Sequence, residues 1–145
     1  MPNFGKYAIL GPTVYTFKKE PDWHWKIKPP AIEEEIAISR FINTGSVTQK
    51  IDGIQKEQVR TTVEIAVEEV SLLFAGTNIP ADVEKPVSEG GAPFVAADAE
   101  IYDVKEAVKR LPPDMLYEIW GQIGEVVPGW GPYNSSPKNS KTAQE

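Results

Sequence analysis

Between Glu57 and Ala75 the chain places apolar residues at Val59, Val63, Ala66, Val67, Val70, Leu73 and Phe74. The spacings of three and four, with adjacent pairs, are those of one helical face. At roughly 100° per residue these positions fall in a stripe about 120° wide, enough to seat a helix on a core. Arg60, Glu64, Glu68 and Ser71 fall outside the stripe. Gly76, Thr77, Asn78 and Pro80 end the pattern, because Gly accepts a left-handed turn and Pro has no amide to donate. The rest of the chain must be arranged around this helix.

The 145 residues suffice for one domain with a sizeable core. Absence of cysteine excludes disulfides, thiol nucleophiles and thiolate metal sites. With His24 the single histidine, multi-histidine zinc sites are excluded and a Ser–His–Asp machine is disfavoured. No apolar run approaches the ~18 residues of a membrane span, and no cationic stretch leads into an apolar core as in a secretory signal. Net charge is −6 and unevenly spread. Residues 1–30 carry five lysines against Glu20 and Asp22, whereas residues 31–130 carry eighteen acidic and eight basic groups. An acidic body argues against nucleic acid as a partner, since phosphate needs a cationic surface.

Residues 1–12 read as irregular, with a short strand at Tyr7–Leu10. Thr13–Phe17 and Trp23–Lys28 read as the strands of a hairpin over 13–28, with turn chemistry in Lys19-Glu20-Pro21-Asp22. The second strand alternates: Trp23, Trp25 and Ile27 on one side, His24, Lys26 and Lys28 on the other. A lone hairpin is marginal, so its aromatic face must lie on a helix or on a partner. Trp23 and Trp25 are therefore core residues or an aromatic anchor for another protein.

Pro29-Pro30 ends the hairpin, and a helix follows over Ala31–Ile42. Glu33, Glu34 and Glu35 in its first turn offset the positive end of its dipole. Its apolar residues spread around the axis, so it should be covered on more than one side. Asn43-Thr44-Gly45 closes it, and a loop to about Gly53 leads to the long helix. Residues 76–98 are broken by Pro80, Pro86, Gly90, Gly91 and Pro93 into a long irregular loop. Asp103 and Glu106 resemble a capping box for a helix carrying Val104, Ala107, Val108 and Leu111. Pro113 opens the last helix, with Leu116, Ile119, Trp120, Ile123 and Val127 as its stripe. The tail from Tyr133 is polar, lacks the apolar surface to offset ordering, and is expected to be disordered. The expected fold is α+β, mainly α: one domain over 1–130, with a helical body at 31–127 and four helices, then a polar tail over 131–145.

No arrangement of residues carries a catalytic, cofactor or metal signature. Glu89-Gly90-Gly91 lacks the Gly-Lys-Ser/Thr of a phosphate loop, and no Asp-x-Asp-x-Asp-Gly calcium loop is present. One irregularity stands on the long helix. Ile65 and Leu72 lie opposite its stripe, with Glu68 and Glu69 beside them. Either another element covers this face or it is a docking seam for a protein partner.

The layout resembles the tail assembly chaperones of long-tailed bacteriophages. Val14-Tyr15-Thr16-Phe17-Lys18 in a short hairpin leads through Pro29-Pro30 into the acidic helix Ile32–Phe41, and further helices and a polar tail follow. Trp23-His24-Trp25-Lys26-Ile27-Lys28-Pro29-Pro30 and Asn78-Ile79-Pro80-Ala81-Asp82 are similar to stretches of short phage morphogenesis proteins. The resemblance spans most of residues 13–128 and is one of layout, without a diagnostic motif, so no site residue is carried over. It implies a non-enzymatic chaperone in the bacterial host cytoplasm. Such a chaperone binds the tape measure protein and recruits major tail protein subunits, either as a monomer or as a homo-oligomer, with no cofactor and no membrane or nucleic acid partner. It also implies a longer frameshifted form, and Pro137-Lys138-Asn139 is compatible with a slippery codon run. The other reading is a small virion structural protein of the tail or head–tail junction.

Overall fold

The computed structural model describes residues 11–44, 47–51, 54–58 and 60–132, with side chains for 11–43 and 60–132. The strand expected at Tyr7–Leu10 and the tail from Tyr133 lie outside the described residues. The architecture is α+β, with an antiparallel sheet near the N-terminus followed by four helices.

β1 (Thr13–Thr16) and β2 (His24–Ile27) form the hairpin, with Thr13 opposite Ile27 and Thr16 opposite His24. The alternation has its expected effect: Trp25 and Ile27 are buried, and Lys26 faces water. The hairpin gains a third strand, β5 (Phe74–Thr77), which pairs antiparallel with β2. Asn78 fastens this edge. Its carbonyl oxygen accepts the His24 amide at 2.7 Å, and its amide nitrogen donates to the Asp22 carbonyl at 2.8 Å.

α1 (Ile32–Thr44) starts where expected. Of its three first-turn carboxylates, Glu34 turns inward, accepts the Ala31 amide at 2.7 Å and meets Lys28 at 3.4 Å. The helix is covered on one side only. Ile38 and Glu34 are buried and Phe41 and Ile42 partly so, whereas Ile32 is 77% exposed and Ile36 faces solvent. The broad distribution of apolar residues therefore did not mean burial on several sides.

The long helix is shorter than its apolar spacing predicts. α2 runs over Thr62–Leu72 instead of Glu57–Ala75. At its start, the Thr61 hydroxyl accepts the Glu64 amide at 3.2 Å and the Glu64 carboxylate accepts the Thr61 amide at 2.8 Å. This reciprocal cap fixes the first turn. The preceding residues form a second hairpin, β3 (Val47–Ile51) with β4 (Ile54–Gln58), where a loop was expected. At the other end Phe74 leaves as β5, so its helical spacing was coincidental.

α3 (Ile101–Val108) begins one turn before the expected start. Glu100 is its N-cap residue, so Asp103 lies inside the first turn and the expected capping box does not form. α4 (Pro113–Val126) begins at Pro113 as expected. The long loop is partly ordered by a Pro80–Pro93 bridge and a single 3-10 turn at Val87–Glu89, and it sends Ile79 and Val95 into the core. Gly91 packs against the Lys85 carbonyl so closely that no side chain fits there.

α2 lies at the centre, with α1, α3 and α4 all packed on it. Ala66, Val70 and Leu73 of the predicted stripe are buried, together with Trp120, Ile119 and Ile123 of α4. Val63 is the exception, at 46% exposed, because α2's first turn projects beyond its neighbours.

Candidate functional site

The face of α2 carrying Ile65 and Leu72 is largely covered by the fold. Ile65 is 5% exposed and Leu72 is half-buried. Glu68 and Glu69 beside them are also buried, and each has a partner. Glu68 pairs with Lys105 of α3 at 2.9 Å. Glu69 accepts the Trp120 indole N–H and the Gly131 amide, both at 2.8 Å. The physical reason is the packing of three helices around α2, which leaves its first turn the most exposed part. The hairpin tryptophans follow the core reading as well. Trp25 is wholly buried, its ring 4.9 Å from that of Phe74, and Trp23 is partly buried against the core. Of the six residues nominated from the sequence, Ile65, Glu68, Glu69 and Trp25 are buried and Leu72 and Trp23 partly so, and Glu68 also lines the groove formed by α2, α3 and α4.

The surface that could bind a partner lies where the start of α2, the end of α3 and the start of α4 converge. A groove of about 520 Å³ opens there. Val63, Val67, Leu111 and Leu116 give it an apolar floor, with Phe41 and Pro113 at its edge. Its two long walls carry charges at a spacing of four: Glu64 and Glu68 on α2, Lys105 on α3 and Lys109 at its C-cap. The ion pair of Glu68 with Lys105 ties the two walls together at one point.

One turn along, Glu64 and Lys109 are engaged on their own helices. Glu64 holds the α2 cap, and the Thr61 amide, with the Thr61 hydroxyl next, keeps its carboxyl below the usual carboxylate range. Lys109 reaches Glu106 at 3.1 Å. Arg60 stands at the mouth. Its guanidinium carbon lies 4.0 Å over the Phe41 ring, and its Nε donates to the Phe41 carbonyl at 2.9 Å. These contacts position the cation over the aromatic rim.

The sequence held one signal for this groove. Val63 sits two residues beyond the cap Thr61, where a helix end more often meets water than core. Assigning Val63 to the core stripe hid it. The chemistry available in the groove is that of binding: an apolar floor to take a side chain and charged walls to orient its neighbours. His24, the single histidine, lies away from the groove on the sheet. Partial burial, with Lys26 nearby, holds its imidazole below the usual range. Among the described residues no helix is long and apolar enough to cross a membrane. Compared with known protein families, curated proteins and solved structures, the chain matches none of them.

Proposed function

We propose that this protein is a non-enzymatic phage morphogenesis factor: a tail assembly chaperone that holds an apolar segment of the tape measure protein and recruits tail tube subunits in the host cytoplasm. The observation that supports the reading is the α2–α3–α4 groove, which leaves Val63 exposed beside Val67, Leu111 and Leu116 between charged walls. A protein that shields an unassembled partner needs such a surface, and needs the charge around it to stay soluble. The hairpin leading through two prolines into an acidic helix supports the same reading through its resemblance to that family.

The test is mass spectrometry of purified virions alongside affinity purification of the tape measure protein from infected cells. A chaperone co-purifies with the tape measure protein and is missing from the finished particle. Recovery from virions at a level comparable with tail proteins would replace this reading with that of a small structural component.

A further inference from the structure

The groove has a charge character unlike that of the body around it, and this bears on what it holds. Residues 31–130 carry eighteen acidic and eight basic side chains, yet three of those eight cations, Arg60, Lys105 and Lys109, line the groove. Among the described lining residues Glu64 and Glu68 are the acidic ones, and both are engaged within the fold. Glu64 closes the helical cap at 2.8 Å, and Glu68 is buried against Lys105. Lys109 keeps 59% of its side-chain surface in water, and its partner Glu106 lies on the same helix outside the groove. A ligand entering from solvent therefore meets Val63 and Val67 below, Lys109 on one wall and Arg60 at the mouth.

We infer that the groove is a docking site for an acidic amphipathic segment of a protein partner, one that inserts an apolar side chain between Val63 and Leu116 and sets carboxylates against Lys109 and Arg60. The inference rests on the protein-binding reading above and names the chemistry of the segment recognised. The floor is apolar, so burial supplies the attraction. The cations are partly exposed, so they select the sign of the flanking charges and add little affinity. A basic segment of the same apolar pattern would place like charges together at the mouth, where both described wall carboxylates, Glu64 and Glu68, already hold a partner.

Two fluorescein-labelled peptides of about 15 residues test this by anisotropy, both with Leu at alternating spacings of three and four. One carries Glu at the intervening positions and the other Lys. The Glu peptide should bind at least roughly tenfold more tightly, with the gap narrowing as salt is raised. Lys109→Glu should remove or reverse the preference while the protein still folds, its melting lowered only slightly by the like charge beside Glu106, because Lys109 is solvent-exposed. Lys109→Gln should reduce it part of the way. Equal or tighter binding of the Lys peptide, failure of both peptides, or an unchanged preference in Lys109→Glu would each overturn the assignment. If both peptides fail while the tape measure protein is still captured, the acidic segment is excluded and the chaperone reading stands. If capture is also lost, both fall.

Discussion

The indole N–H of Trp120 donates to the buried carboxylate of Glu69 at 2.8 Å, joining α4 to the central helix across 51 residues of sequence. The same oxygen accepts the Gly131 amide, so one side chain secures both the last helix and the turn that follows it. Removing Glu69 leaves two buried donors without that acceptor. Glu69→Ala should cost about 2–5 kcal/mol in urea unfolding. Glu69→Gln, which keeps a carbonyl oxygen, should recover much of it. Trp120→Ala should cost about 3–5 kcal/mol, the usual range for a buried aromatic. A loss under about 1 kcal/mol for either alanine variant would mean that this contact does not hold the core.

Gly131 tests the same corner sterically. Its φ is +94°, and a Cβ there would strike the Gly124 backbone of α4. Gly129 has a similar φ of +86° but open space around it. Gly129→Ala should cost about 1 kcal/mol for the strained backbone, and Gly131→Ala several times as much. Comparable melting of the two variants would show that the turn does not press on α4.

Tyr15 links the sheet to α4 and makes stability depend on alkaline pH. Its hydroxyl donates to Glu118 Oε1 at 2.6 Å, and burial, with Glu118 next, raises its pKa to about 12. The unfolded tyrosine ionises near pH 10. Below that pH the phenol is neutral in both states and its full contribution is present. Between about pH 10 and 12 only the unfolded chain loses the proton, so stability falls as pH rises. Absorbance titration should show a late ionisation that is absent in Tyr15→Phe. The variant should unfold about 1 kcal/mol more easily at neutral pH and lose less stability over the alkaline range. If Tyr15→Phe removes no ionisation above about pH 10, the Tyr15–Glu118 contact does not persist in solution.

Much of this architecture was legible because local chemistry and tertiary packing agree. The alternation through Trp25 and Ile27 marked the hairpin, Pro113 marked the start of α4, and the stripe of α4 marked its buried face. Other parts were not legible because helix spacing is degenerate over short distances. Phe74 fits a helical stripe and also a strand, and only pairing with β2 decides between them. Val47–Ile51 and Ile54–Gln58 are mostly polar and carry little periodic signal, although Asp52-Gly53 between them is a strong two-residue hairpin sign. The candidate site was misplaced for a third reason. A stripe shows which faces of a helix are apolar, but not how many neighbours the helix has. With three helices packed on α2, Ile65 on its supposed outer face is buried, and Val63 on its supposed inner face is exposed.

That reversal makes Val63 the most direct test of the proposed chaperone role. Val63 lies in the first turn of α2, where an aspartate suits the helix dipole, so Val63→Asp should fold and melt like the parent. The measurement is co-purification of the variant with a co-expressed, tagged segment of the tape measure protein, followed by titration of the purified pair. The account predicts that the parent is captured and that Val63→Asp loses at least roughly tenfold in affinity with its melting temperature unchanged. Capture of Val63→Asp at the affinity of the parent would contradict it.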